Sequence, residues 1–122
     1  MATLLEQLDG MRNLQANWDG YNADPILPQA LELAKELVSY MESMLPKESR
    51  ETMFVAPGRD GSVQIEWSDA TYKHELGIEI DGSLELLHVG KLSGVMVSEK
   101  YPSAGQAIHP GIIRELRGLI AV

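Results

Sequence analysis

The hydrophobic repeat of this chain changes period near Thr52, and no other feature limits the fold as strongly. Up to Pro46 the apolar residues recur every three to four positions; from Thr52 to about His88 they alternate, and a short helical stripe returns after Pro110. A period of about 3.6 residues is one face of a helix, and a period of two is one face of a strand. Helices first and strands afterwards, without interleaving, give an α+β fold with an antiparallel sheet. The chain has 122 residues, which suits one domain.

The helical part is expected over residues 1–46. Thr3 followed by Glu6 is a capping-box pattern, in which hydroxyl and carboxylate each satisfy a free backbone N–H. Leu4, Leu8, Met11 and Leu14 then form one stripe, weakened by Gly10, and Asp9-Gly10 is a possible break in it. Ala30, Leu31, Ala34, Leu37, Val38, Met41, Met44 and Leu45 give the clearest helix, starting at Pro28 and stopped by Pro46. Lys47 to Glu51 reads as a polar linker.

The sheet is expected over residues 52–98. Turn signals at Gly58-Arg59-Asp60-Gly61, Ser68-Asp69-Ala70-Thr71 and Asp81-Gly82 separate short alternating runs. Val95-Met96-Val97 is a short fifth strand or part of an ordered loop, and Ser103 to His109 reads as loop. Ile112, Ile113, Leu116, Leu119 and Ile120 predict a final helix over residues 110–120. The expected architecture is two N-terminal helices on one face of a four- to five-stranded antiparallel meander, with the C-terminal helix added. The expected core includes Leu8, Met11, Leu31, Leu37, Met41, Phe54, Val63, Ile65, Trp67, Leu76, Ile78, Ile80 and Leu86.

Between the first two helices lies Asn17-Trp18-Asp19-Gly20-Tyr21-Asn22-Ala23-Asp24-Pro25-Ile26. This stretch resembles the N-W-D-G-x-x-A-x-P-I signature of a family of small bacterial and phage-type proteins. Ile65-Glu66-Trp67 and the approach to Asp81-Gly82 extend the resemblance over roughly two thirds of the chain, Leu4 to Leu86. The resemblance implies an α+β fold and a prokaryotic or phage source. The family has no defined biochemical function, so no catalytic residue carries over.

Charge narrows the function. Eighteen Asp and Glu against ten Lys and Arg leave a net charge of −8. A general nucleic-acid binder needs a basic face, and so does docking to an anionic membrane. There is no cysteine, which excludes thiol nucleophiles and disulfide scaffolds. No apolar run approaches a membrane span, and the acidic start is not that of a signal peptide, so a cytoplasmic protein is expected. His74, His88 and His109 lack metal-ligand spacing. No G-x-S-x-G elbow or phosphate loop is present, so neither a cofactor nor catalysis is expected.

Three groups of candidate binding residues remain. Trp18, Asp19 and Tyr21 sit on a turn-rich loop, either as a recognition lip or as its internal scaffold. Glu66, Glu75 and Glu79 share one sheet face by alternation, either as a docking row for a basic partner or as a solvated face with Glu66 paired to Lys73. Lys100, Tyr101, Arg114 and Arg117 fall in the C-terminal third, where they would line a pocket for an anionic ligand or simply be solvated. The apolar C-terminal residues also suit self-association. The expectation is a non-enzymatic binding protein, an accessory or inhibitor protein that meets another protein or its own copy. The alternative is sequestration of a small anionic ligand such as a signalling nucleotide.

Overall fold

A computed structural model describes residues 3–104 and 109–120, with side chains to Arg117 in the last helix. Leu119 and Ile120 of the expected C-terminal stripe therefore lie outside the described side chains, and 105–108 of the expected loop lie outside the described residues. The elements run α1 (Leu4–Met11), α2 (Pro28–Met44), α3 (Lys47–Arg50), β1 (Phe54–Pro57), β2 (Val63–Ser68), β3 (Tyr72–Ile78), β4 (Leu84–Gly90), β5 (Met96–Tyr101) and α4 (Pro110–Ile120). The five strands form one antiparallel meander in chain order. This is the α+β architecture that the change of period implies.

Local chemistry sets the helix ends. Thr3 Oγ1 accepts from the Glu6 N–H at 3.1 Å, and Glu6 Oε1 accepts from the Thr3 N–H at 3.4 Å, completing the capping box. Gly10 stays inside α1, so Asp9-Gly10 is not a break. α2 has no side-chain cap; Pro28, whose missing N–H would be unpaired anyway, starts it. The expected polar linker at 47–51 is instead the helical turn α3. Thr52 Oγ1 ties α3 to the sheet by donating to Ser49 O and accepting from the Ser68 N–H.

All helices lie on one side of the sheet. α1 packs beside β1, α2 against β2 and β3, and α4 against α2. The core between them is continuous, and Leu8, Leu31, Leu37, Met41, Val63, Ile65, Leu76, Ile78, Leu86, Ile112 and Leu116 are fully buried in it. Burying a side chain of this size contributes about 1.5–3 kcal/mol.

Two expected core residues are not in the core. Phe54 and Ile80 are each 49% exposed. Phe54 has the outward parity, because Met53 and Val55 on either side of it take the inward positions. Ile80 follows the end of β3, within a turn in which Gly82 N–H donates to Glu79 O, so strand alternation no longer governs it. β5 also continues past residue 98 to Tyr101, which places Lys100 and Tyr101 on a strand.

Candidate functional site

The face of the sheet opposite the helices carries Gln64, Glu66, Lys73, Glu75 and Glu79, as alternation predicts. The strand pairings add Glu85 and Lys100 to it. Register decides which charges meet. Glu66 lies directly opposite Glu75, and Lys73 lies opposite Ser68. The expected Glu66–Lys73 pair is thus replaced by a like-charge pair, because the β2–β3 turn closes with Ser68 against Lys73. Burial and the Glu75 carboxylate together hold the Glu66 carboxyl above its usual range.

The next carboxylates along the face repeat the pattern. Gly77, bare of a side chain, floors a hollow of about 110 Å³ edged by Glu75, Glu79 and Glu85. A Cβ at Gly77 would stand 3.1 Å from Glu79 Oε1, so the missing side chain is what lets Glu79 lie across the strand. Burial raises the Glu79 carboxyl, and Asp60, Glu85 and Asp81 raise it further; Lys100 opposes them. Lys100 itself lies 3.5 Å from Glu85 Oε2. The face is therefore a row of carboxylates that repel one another, with few cations among them.

The Trp18 loop is held by its own side chains. Asn17, Gly20 and Asn22 have positive φ, at 65°, 76° and 70°, which Asn and Gly adopt most readily. Trp18 Nε1 donates to Asp24 O at 2.7 Å, and its ring packs on the core. Asp19 Oδ1 accepts from the N–H groups of Tyr21 and Ala23, while Oδ2 meets Arg59 Nε at 2.8 Å. Burial works against the charge on Asp19, but these donors outweigh it and hold the carboxyl below its usual range. Arg59 also donates to Tyr21 O, and Asp24 N–H donates to Arg59 O, so the loop is clamped to the β1–β2 hairpin. Trp18 and Asp19 are thus occupied internally, and of the three candidates on this loop Tyr21 is the exposed one.

The C-terminal candidates do not all converge: Tyr101 and Arg114 lie close enough to interact electrostatically, and Lys100 is set apart from them. Lys100 points to the outer face, and Tyr101 to the helix side. Tyr101 Oη donates to Glu99 at 2.6 Å, and burial with the Glu99 carboxylate pushes its phenol up. Arg117 Nε donates to Tyr40 Oη on α2 at 3.0 Å, and Arg114 is exposed on α4. The larger hollows suit an anion poorly. One of about 540 Å³ is edged by Glu32, Glu36 and Asp81; one of about 530 Å³ sets Asp60, Glu79, Asp81 and Glu85 against Lys100.

Strand alternation allows His74 and His88 to be neighbours across strands, and on the helix side they belong to a buried polar chain that also takes in Asp69. His74 and His88 face each other across β3 and β4, with their Nδ1 atoms 2.6 Å apart. His74 Nε2 contacts Asp69 Oδ2 at 2.8 Å, and its ring stacks on Trp67 at 5.1 Å. With both rings neutral and the His74 Nε2–H on Asp69, His88 donates to His74, and His88 Nε2 is left as a bare acceptor. That atom is buried without a hydrogen-bond partner, 3.8 Å from Glu115 Oε1. Burial and His74 lower the His88 pKa. Among the described residues no cluster of three or more His, Asp or Glu has metal-binding geometry.

A comparison with protein-family models, curated proteins and solved structures gives no match for the chain. Among the described residues no helix is long and apolar enough to cross a membrane.

Proposed function

We propose that this chain is a binding protein that takes a basic protein partner on the acidic outer face of its sheet, and that it works as an inhibitor or accessory protein rather than as an enzyme. The observation that carries this reading is the repulsion stored on that face. Glu66 opposes Glu75 across the ladder, and Glu79 is crowded by Asp60, Glu85 and Asp81. Like charges opposite each other oppose folding. A partner bearing Lys or Arg relieves that repulsion on docking and is steered to the face from a distance.

A catalytic use of the same carboxylates is less well supported. Acid–base pairs work when their surroundings push the two pKa values apart, whereas Glu66 and Glu79 both move upward. The face is also open, and catalytic carboxylates act best where water is excluded.

The test is binding of a fluorescent oligolysine peptide at low salt. The variant E66Q/E75Q/E79Q is expected to weaken binding by at least about tenfold, a loss of roughly 1.4 kcal/mol. The variant E36Q/E42Q/E48Q, altered at exposed helix positions, makes the same change in net charge and is expected to bind much as the parent does. Equal losses in the two variants would reduce the effect to net charge and sink the proposal.

A further inference from the structure

The two edges of the sheet are finished differently. β1 has four residues, ends in Pro57 and has α1 packed beside it. β5 has six residues and no proline, and Met96 to Lys100 are all exposed. Proline, shortness, a covering helix and charged side chains are the usual means of blunting an edge; among the described residues β5 has none of the first three and carries only Glu99 and Lys100 of the fourth.

The turn before β5 fixes which of its main-chain groups face outward. Gly90 N–H donates to Val95 O at 3.0 Å, and continuing the β4–β5 register one step beyond Val89 and Met96 sets these two residues opposite each other. Opposed residues alternate between hydrogen-bonded and non-hydrogen-bonded pairs. Val97, Glu99 and Tyr101 therefore direct their N–H and C=O groups to β4. Those of Met96, Ser98 and Lys100 point away from the sheet, where no described strand pairs with them. Exposed apolar side chains flank this edge: Leu92, Val95, Met96 and Val97.

Charge selects the occupant. β5 carries one Glu and one Lys, so the strand is neutral within a chain of net charge −8. A basic segment is drawn instead to the glutamates of the outer face, and an acidic one is repelled by the molecule as a whole. A second copy of β5 brings one charge of each sign to the seam. We infer that the protein forms a two-fold homodimer by antiparallel pairing of β5 with β5 of a second copy, centred on Ser98.

The register follows from the geometry. A two-fold axis normal to the sheet keeps each face on its own side, so opposed residues must have the same parity. Centring on Ser98 sets Ser98 against Ser98 and Met96 against Lys100 of the second copy, and it uses every outward N–H and C=O on both strands. Centring on Val97 leaves Lys100 unmatched. Centring on Glu99 leaves Met96 unmatched and sets two glutamates face to face. The chosen register joins two five-stranded sheets into one. The register does not depend on the partner proposed for the acidic face, whereas the exclusion of a basic occupant rests on that reading.

Native mass spectrometry and sedimentation equilibrium of the full chain test this inference. The parent is expected to be a dimer. Ser98→Pro removes an outward N–H and no hydrogen bond within the chain, so a folded monomer by circular dichroism is expected. S98E and S98K each place like charges against each other across the axis and are expected to weaken the dimer by at least about tenfold. Mixing S98E with S98K is expected to restore a dimer of mixed mass, which only folded chains with this register can form. A monomeric parent overturns the inference. So does a dimer that persists in S98P, or a mixture of S98E and S98K that stays monomeric.

Discussion

Gly10 lies inside α1, and a Cβ built on it has nothing within 4 Å. Gly10→Ala is therefore expected to stabilise the protein by about 0.4–1 kcal/mol, chiefly by restricting the unfolded chain; thermal unfolding checks it. Glu66 gives the opposite kind of prediction, because its native charge is a burden. Its folded pKa lies above the ordinary 4.5, so the ionised group opposes folding at neutral pH. That penalty is relieved as the pH falls from the raised value toward 4.5, where the unfolded chain takes up the proton as well. E66Q is expected to raise stability by a few tenths of a kcal/mol at neutral pH, and by less near pH 4. Urea unfolding at both pH values reads the difference, and a destabilised E66Q at neutral pH would contradict it. Residues whose partners are close in sequence were legible: Thr3 and Glu6 cap α1 as the pattern implies. Glu66 was legible only as an outward residue. Its partner depended on where the β2–β3 turn closes, and Ser68-Asp69-Ala70-Thr71 admits more than one closure.

At the scale of elements, alternation with buried partners made β2 to β4 readable. β5 was hard to read because it is an edge strand exposed on both faces, so burial imposes no polar–apolar alternation on Val95-Met96-Val97. α3 hid among polar residues because one helical turn has no periodicity to show. The β3–β4 ladder also holds the Asp69–His74–His88 chain, whose ends reach the β2–β3 turn and α4. The groups that face His88 are His74 on β3, Asp69 in the β2–β3 turn, Glu99 on β5 and Glu115 on α4. Its folded pKa lies below the ordinary 6.5. The unfolded chain thus binds a proton that the folded chain resists. Stability from this group is full above 6.5 and falls as the pH drops from there through the lower folded value. His88→Gln is expected to flatten the loss of stability between about pH 7.5 and about pH 5.5, measured by urea unfolding of the parent and the variant. An unchanged slope would remove His88 from the acid response.

At the scale of the molecule, the sheet separates two polar arrays. The helices and the buried chain of histidines lie on one side of the sheet, and the crowded carboxylates of β2, β3 and β4 lie on the other. The change of hydrophobic period was enough to foresee that layering, since it sorts apolar from polar positions from α1 to β4. It could not foresee that Lys100 would separate from Arg114 and Arg117, because that depends on β5 reaching Tyr101 and alternating along the way. The acidic face is the surface on which the proposed function stands. The direct measurement is an amide chemical-shift titration of the folded protein with an oligolysine peptide at low salt. Shifts that cluster on Gln64–Glu66, Glu75–Glu79 and Glu85–Leu87, and that fade as salt is added, are the expected result. Shifts spread over the exposed carboxylates of α2, or no preference for the sheet, would contradict it.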